Sequence, residues 1–384
     1  MDKWTNRADV VIIGGGIVGT STAYYLAKFG TKNIVLCERD LLAQASTGLC
    51  VGGIRQQFSH PSNILLSQEV VRLFERFDHE FGVDIMFRQA GYIFLAQETD
   101  TWDDVKKSVE VQHKYGVPVE LLSPEEIKSR WSYIEVKDLK GGTFCPKDGY
   151  ADPYLVAMAF ANASRQLGVQ IREKTPVSAI SITQGRIEGV TTTRGPISTP
   201  VIVNAAGAWG GEVARMAGLD IPVLPYRRQV FATKAFDLIP RPVPMVIDLD
   251  RLFYFRGEDP CIIFGMSDRE EESSFNTHVD RAFLERVIEA AVHRAPVLER
   301  AEILRGWAGL YAITPDENPI IGASPEVKGF FSAVGFSGHG FQHGPAVGRI
   351  LAELIVQGTT DFNLTPFVYD RFAKIKGKGE KRAI

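Results

Sequence analysis

The stretch from Asp9 to Arg39 constrains this chain more than any other. It reads as a buried strand, Val10-Val11-Ile12-Ile13, then a glycine turn, Gly14-Gly15-Gly16-Ile17-Val18-Gly19. A helix-like run follows to Phe29 and Gly30, and a second strand, Ile34-Val35-Leu36-Cys37, ends at Glu38-Arg39. Gly14, Gly16 and Gly19 have G-x-G-x-x-G spacing. In a strand–turn–helix start of this kind the first glycine permits the tight turn and the second lets a pyrophosphate approach the backbone. The third lets the helix pack on the strand. The helix N-terminus, with its unpaired N–H groups and positive dipole end, faces the negative charge. Glu38 stands at the end of the second strand, where a carboxylate accepts hydrogen bonds from both hydroxyls of an adenosine ribose. A lone glycine triplet is a weak signal, because glycines also mark ordinary turns. With both strands, the helix and the acid in place, the stretch reads as a dinucleotide site.

Composition bounds what else the chain can be. Its 384 residues suffice for two domains or one composite domain, and 45% hydrophobic residues support a sizeable core. A net charge of −3 offers no basic face for nucleic acid or an anionic membrane. No apolar run reaches the ~18 residues that a membrane span needs. The apolar run at residues 10 to 18 holds three glycines and already serves as the first strand, so a signal peptide is a poor reading of it. Cys37, Cys50, Cys145 and Cys261 are scattered, with no C-x-x-C and no metal-ligand spacing. That usage fits a reducing compartment and a cytoplasmic location.

The rest of the chain falls into three blocks. Ala45 to Arg55 is rich in small residues and too glycine-dense for a helix. It reads as a loop whose amides approach a ligand, or as a flexible connector. Ser62 can cap a helix with Leu65, Leu66, Leu73, Phe74, Phe77 and Phe81 on one apolar face, and Tyr92-Ile93-Phe94-Leu95 is a strand. Residues 101 to 115 form a helix ended by Gly116, Ser123-Pro124-Glu125-Glu126 is a capping box, and Asp152-Pro153 starts a helix running to Gly168. Val177 to Ile182 and Arg186 to Thr192 are strands joined at Gln184-Gly185. Thr199 to Asn204 is a strand that runs into Ala205-Ala206-Gly207-Ala208-Trp209, with a helix from Gly210. From Val223 to Met266 the pattern is strand-rich, followed by a helix at Arg281 to Arg294 and a strand at residues 303 to 313. This middle block reads as an antiparallel sheet inserted into the first. The α/β pattern then returns with the strand Phe330 to Val334, the glycine turn Gly335 to Phe341, and a helix from Gly344 to Gln357 closed by Gly358. The basic tail, Lys374 to Arg382, is expected to fray.

Together these segments resemble the FAD-dependent amino acid and amine oxidoreductases of the D-amino acid oxidase and sarcosine oxidase type. The pattern is nearest to the β subunits of heteromeric sarcosine oxidase and of dye-linked L-proline dehydrogenase. The runs that carry the resemblance are Gly53-Ile54-Arg55-Gln56-Gln57-Phe58, Asp148-Gly149-Tyr150-Ala151-Asp152-Pro153, Thr314 to Gly322, and Gly335 to Phe341. The resemblance implies an α/β plus α+β fold: a Rossmann-like, glutathione-reductase-like FAD-binding domain from residues 1–85, 145–215 and 320–384. A substrate domain comes from 86–144 and 216–319. Its implied FAD contacts are Gly14, Gly16, Ile17, Val18, Gly19, Glu38, Arg39, Ser46, Thr47, Arg55, Val177, Ala206, Gly207, Trp209, Gly338, His339, Gly340, Phe341 and Gln342. No metal is implied.

The departures from the family bear on function. Where monomeric sarcosine oxidases attach FAD through a cysteine, this chain has Gly309, so FAD is expected to be non-covalent. The lysine that activates oxygen is matched by Ile263, and a lysine that contacts the substrate carboxylate is matched by Gln342. No histidine near Ala151-Asp152 can tether an FMN. The family arginine matched by Arg55 contacts the flavin. Arg228, in Tyr226-Arg227-Arg228-Gln229, is then the better candidate for a substrate carboxylate, or it lies on a solvated strand face. Tyr254 and Tyr311 line the substrate pocket or belong to the core, and His339 sits between two glycines at the flavin turn. The leading expectation is hydride removal from the carbon beside a secondary amine, in sarcosine, proline or a similar amino acid. Electrons would pass to an α-type partner subunit, with a second, non-covalent FMN allowed at the junction. The alternatives are a self-sufficient amino acid or 2-hydroxy acid oxidase and a flavin-holding assembly subunit.

Overall fold

Strands that are apolar at every position must be covered on both faces, and Val10–Ile13 and Ile34–Cys37 in the middle of the first sheet are such strands. The computed structural model describes residues 5–374. A six-stranded sheet runs in the order Ile320–Ala323, Phe330–Val334, Ile202–Asn204, Val10–Ile13, Ile34–Cys37, Gln170–Arg172. All neighbours are parallel except the first pair. Val10, Ile12, Ile34 and Leu36 point to one face, where the helices Ile17–Lys28, Pro153–Gln166 and Gly340–Gln357 gather. Val11, Ile13, Val35 and Cys37 point to the other, against the helix Gly210–Met216 and the three-stranded sheet of Val177–Thr183, Arg186–Thr192 and Gly195–Ser198. The first and last of the three helices meet almost backbone to backbone. A Cβ on Gly348 would lie 2.4 Å from Ser21 Oγ, and that hydroxyl donates to the Gly344 carbonyl at 3.0 Å.

The second large sheet has eight strands: Ile303–Ile313, Leu224–Thr233, Cys261–Met266, Phe253–Glu258, Met245–Asp248, Tyr92–Ala96, Gly141–Cys145 and Glu120–Leu122. The expected antiparallel pattern is broken once, because Met245–Asp248 runs parallel to Tyr92–Ala96. Those strands come from distant parts of the chain, so no hairpin turn forces their direction. One face carries Ile93, Leu95, Val246, Phe231, Phe255 and Phe264 and is covered by the helix Arg281–Arg294. Fully buried Arg294 ties that helix to the sheet through Asp248, at 2.9 Å. The opposite face turns toward the first sheet.

Several local readings need correction. Ser62 is not the cap of its helix, which spans Pro61–Phe74; the His60 ring accepts from the Ser62 amide instead. Leu65 faces out at 42% exposure, and the apolar stripe is broken before a separate turn of helix at Phe77–Phe81. Ser46–Leu49, expected as loop, is one helical turn. It is pinned from outside: Ser46 Oγ donates to the Leu310 carbonyl at 2.7 Å and Trp307 Nε1 to the Leu49 carbonyl at 2.9 Å. The helix that ends at Gln357 begins at Gly340 and not at Gly344. Residues 375–384, most of the basic tail, lie outside the described residues, as do the first four.

Candidate active site

A cavity of about 350 Å³ lies between the two large sheets. At one end it is formed by the glycine turn. Gly14 adopts φ +114°, and a Cβ there would stand 2.4 Å from the Ala205 carbonyl oxygen; on Gly16 it would meet Thr47 Oγ1 at 2.9 Å. The turn therefore presents bare backbone to the cavity. Gly19 does not line it. A Cβ at Gly19 would be 1.9 Å from the Gly14 carbonyl, so this glycine acts one step back, letting the helix Ile17–Lys28 close on the turn. Ile17 and Val18 do line the cavity, and the Ile17 amide donates to Thr47 Oγ1 at 3.1 Å. Glu38 shapes this end: Oε2 accepts from the Gly15 amide at 2.6 Å and Oε1 from the Asp40 amide at 2.7 Å. Arg39 lies over the Trp209 ring, 4.1 Å from its centre, and Phe275 stacks near Trp209 at 5.3 Å. Ser46, Val177, Ala206 and Gly207 also face the cavity.

The middle is dominated by Arg55. It is buried, yet one Nη donates to the Gln57 carbonyl at 2.9 Å and the other to His339 Nε2 at 2.9 Å. A guanidinium can only donate, so His339 Nε2 is the acceptor and the ring proton sits on Nδ1. Burial, then Arg55, then His343 hold His339 well below the usual imidazole range, so it is neutral. His343, one turn on, is pushed down to about 3 by burial and by Arg55. Gln342 lines the cavity and also has a structural part. Its Oε1 accepts from the Arg55 amide at 2.7 Å, so it anchors the Arg55 loop. Gly338, Gly340 and Phe341 line the same wall.

The ceiling is one rung of the eight-stranded sheet. Phe94, Ile247, Tyr254, Gly265, Val230 and Trp307 are opposite one another in register across six strands. Three tyrosines, Tyr92, Tyr254 and Tyr311, each lie over a glycine. Added Cβ atoms on Gly53, Gly265 and Gly338 would stand 1.9 Å from the Tyr92 hydroxyl, 2.6 Å from the Tyr254 hydroxyl and 2.5 Å from the Tyr311 ring. Burial raises all three phenols, so they are neutral hydrogen-bonding groups at working pH. Arg228 enters beside them. One Nη donates to the Arg227 carbonyl at 2.9 Å, the guanidinium stands 5.1 Å from the centre of the Tyr311 ring, and its buried Nε has no hydrogen-bond partner among the described residues. Ile263 is not at the surface of the cavity. It is buried with Val230 and Ala232, behind partly buried Val51 and Trp307.

Every residue expected at the site lines this cavity except Gly19. Sequence reasoning missed Tyr92, Phe94, Val230 and Ile247. The strand of Tyr92 and Phe94 was legible, but it is apolar on both faces and no polar alternation says which one looks inward; Met245–Asp248, which carries Ile247, was not read as a separate strand. The cation inventory of the lining is Arg39, Arg55 and Arg228, and its acids are Glu38 and Glu212, both at the turn end. Among the described residues no group of three or more His, Cys, Asp or Glu is placed to hold a metal, and no helix is long and apolar enough to cross a membrane.

The bare glycine turn, the carboxylate at the end of the second strand and the cavity that continues under the second sheet fit the FAD implied by the resemblance. Comparison with known proteins agrees. Residues 9–354 match the family model described as FAD dependent oxidoreductase, DAO. The crystal structure of L-proline dehydrogenase from P. horikoshii superposes with a TM-score of 0.91 at 35% identity, covering 97% of this chain and 99% of that one. Rat mitochondrial dimethylglycine dehydrogenase is 31% identical over 97% of this chain and 46% of that protein. Human mitochondrial sarcosine dehydrogenase is 32% identical over 96% of this chain and 42% of that protein. The chain thus spans a little under half the length of these two relatives.

Proposed function

The chain belongs to the family of FAD-dependent oxidoreductases, and from that premise we propose that it oxidises the C–N bond of a secondary amino acid such as proline or sarcosine. The observation that carries this reading is Arg228, with a buried Nε that has no partner among the described residues, at the edge of a cavity roofed by neutral phenols and apolar side chains. A planar fork of N–H groups suits a carboxylate, which accepts two parallel hydrogen bonds. Phe94, Val230 and Ile247 offer the apolar surface for the rest of a compact aliphatic amino acid.

The glycine turn, Glu38 and the Arg55–His339 wall would hold FAD non-covalently, and FAD bound there would supply the two-electron acceptor for a hydride from the carbon beside nitrogen. The protein contributes orientation and charge. Arg228 fixes the carboxylate, the tyrosine hydroxyls accept or donate to the amine and carboxylate, and Arg55 places a cation where negative charge develops. His339 stays neutral and accepts from Arg55, so it holds that arginine in place and adds no second cation. No lysine is among the residues lining the cavity. That supports a dehydrogenase, with electrons passing to an acceptor or an α-type partner subunit, and an FMN at their junction is compatible with it. The four unpaired cysteines support a reducing, cytoplasmic setting.

The test is anaerobic bleaching of the flavin by a panel of secondary amino acids, primary amino acids, simple amines and 2-hydroxy acids. Bleaching by secondary amino acids first is expected. Bleaching only by hydroxy acids overturns the substrate class. Bound FAD that no member of the panel bleaches, with no dye turnover, makes the chain a flavin-holding subunit.

A further inference from the structure

Two runs stand out in the sequence, Gly53 to Phe58 and Asp148 to Pro153. The fold brings them together. Gly53–Ile54 and Gly149–Tyr150 pair as an antiparallel ribbon, with Ile54 opposite Gly149. Just before that pairing lies Asp148, fully buried. Its Oδ1 accepts from the Gln56 amide at 2.9 Å and from Gln56 Nε2 at 3.2 Å, and its Oδ2 accepts from Gln57 Nε2 at 3.1 Å. Gln57 is held further by Thr143, whose hydroxyl donates to Gln57 Oε1 at 2.6 Å, and by its own Nε2 donating to the Tyr92 carbonyl at 3.2 Å. The Gln57 carbonyl then accepts from Arg55 at 2.9 Å. One side of the Arg55 guanidinium hangs from a carbonyl whose place is set by Asp148, and the other side from His339.

Resting on the reading that Arg55 faces the flavin, we propose that Asp148 is a positioning residue: its carboxylate locks the Gln56–Gln57 turn and so fixes the Arg55 guanidinium against the cofactor. An acid suits the place better than an amide. Three N–H groups converge on its two oxygens, and an asparagine would turn its own N–H toward one of them. The other polar groups around it are the Cys145 thiol and the Tyr92 phenol, both kept neutral by burial. Burial raises the Asp148 carboxyl to about 6, against the pull of its glutamine and thiol donors, so it is ionised at pH 7.5. A buried anion has a cost, and a purely structural clamp could have been neutral.

The experiment measures the midpoint potential of bound FAD by dye equilibration at pH 7.5 in the unaltered holoprotein, Arg55→Met, Asp148→Asn and the double variant. FAD content and Tm are recorded for each. Removing the Arg55 cation disfavours reduced, negatively charged flavin. The ratio of reduced to oxidised flavin should fall about tenfold at a fixed dye potential, or about 30 mV for a two-electron couple. Asp148→Asn should lower it in the same direction, and should lower it no further once Arg55 is gone. The opposite sign is expected of an acid acting through its own field, since loss of a nearby anion raises the potential. A rise, no shift, or an equal fall in the Arg55→Met background overturns the proposal. An Arg55→Met potential equal to that of the unaltered protein overturns instead the placement of Arg55 at the flavin. Gln57→Met, which removes the same tether from its other end, covers the case in which Asp148→Asn does not fold; it too should lower the potential, and an unmoved potential counts against the proposal.

Discussion

Replacing Arg228 by methionine should separate binding from stability. The side chain keeps its length and apolar stem but loses every N–H. One Nη now meets the Arg227 carbonyl at 2.9 Å, and the buried Nε meets nothing among the described residues. An unpaired buried donor costs roughly 1–3 kcal/mol, and a hydrogen bond to a charged group contributes roughly 1.5–3 kcal/mol. Without substrate, the change removes the unpaired donor together with one hydrogen bond and a ring contact. These oppose each other, so unfolding free energy should stay within about 1 kcal/mol of the unaltered protein. With substrate, the lost contact to the carboxylate should lower kcat/KM about 10- to 100-fold. The loss should fall mainly on KM, since the carboxylate is bound alike in ground and transition states. The assay is dye reduction with an amino acid and with the matching amine that lacks the carboxylate, beside urea unfolding of both proteins. The amine, a poor substrate at the outset, should be turned over equally well by both. An equal loss for amino acid and amine would refute the assignment, because Arg228 would then support the cavity without reading the carboxylate.

Three further outcomes follow from the geometry. Glu38→Ala should weaken FAD binding about 10-fold or more through lost charged hydrogen bonds, and Gly16→Val should largely abolish it, because even a Cβ would stand 2.9 Å from Thr47 Oγ1; flavin absorbance after gel filtration is the measure, and unchanged FAD content in both would remove the basis of the site. The unaltered holoprotein should reoxidise slowly in air and quickly with dye, and Ile263→Lys should speed the reaction with oxygen in stopped-flow mixing; air oxidation of the unaltered protein as fast as dye turnover would make it an oxidase. Asp148, raised from 3.8 to about 6 by burial, holds its proton more tightly folded than unfolded, so the stability it contributes is full below pH 3.8 and is lost as pH rises through about 6. At 1.36 kcal/mol per pH unit this is roughly 3 kcal/mol; the stability of the unaltered protein relative to Asp148→Asn should fall by that order between pH 4 and 7, and a pH-independent difference would show that Asp148 is not held as described.

Local chemistry was enough to read much of this chain. The glycine turn, the Ser123-Pro124-Glu125-Glu126 capping box, the Asp152 cap and the left-handed Gly116 and Gly358 closures all stand as expected, with the capping box making both of its reciprocal bonds. Each depends on residues a few positions apart, whose conformational preferences act without the rest of the protein. Where local preference and tertiary packing disagreed, packing prevailed. Gly340 and Phe341 read as part of a glycine turn, yet Gly340 to His343 is helical, with the His343 amide bonded to the His339 carbonyl and the flanking rings buried against Phe58.

The site itself was legible as a list of residues, because the family motifs name them, but not as an arrangement. Tyr92 and Phe94 were visible only as half of an apolar strand, since a strand that is apolar on both faces carries no sign of which one meets the cavity. Gln342 was expected to face substrate and holds the Arg55 amide, a bond between residues 287 positions apart. Asp148 was one letter in a run of resemblance until the ribbon of Gly53–Ile54 with Gly149–Tyr150 set it beneath Gln56 and Gln57. Sequence determines periodicity, caps and turns through forces that act within a few residues. Which side chains share a cavity depends on the register of strands and helices that meet only when both sheets have closed on one another, and that register belongs to the tertiary structure.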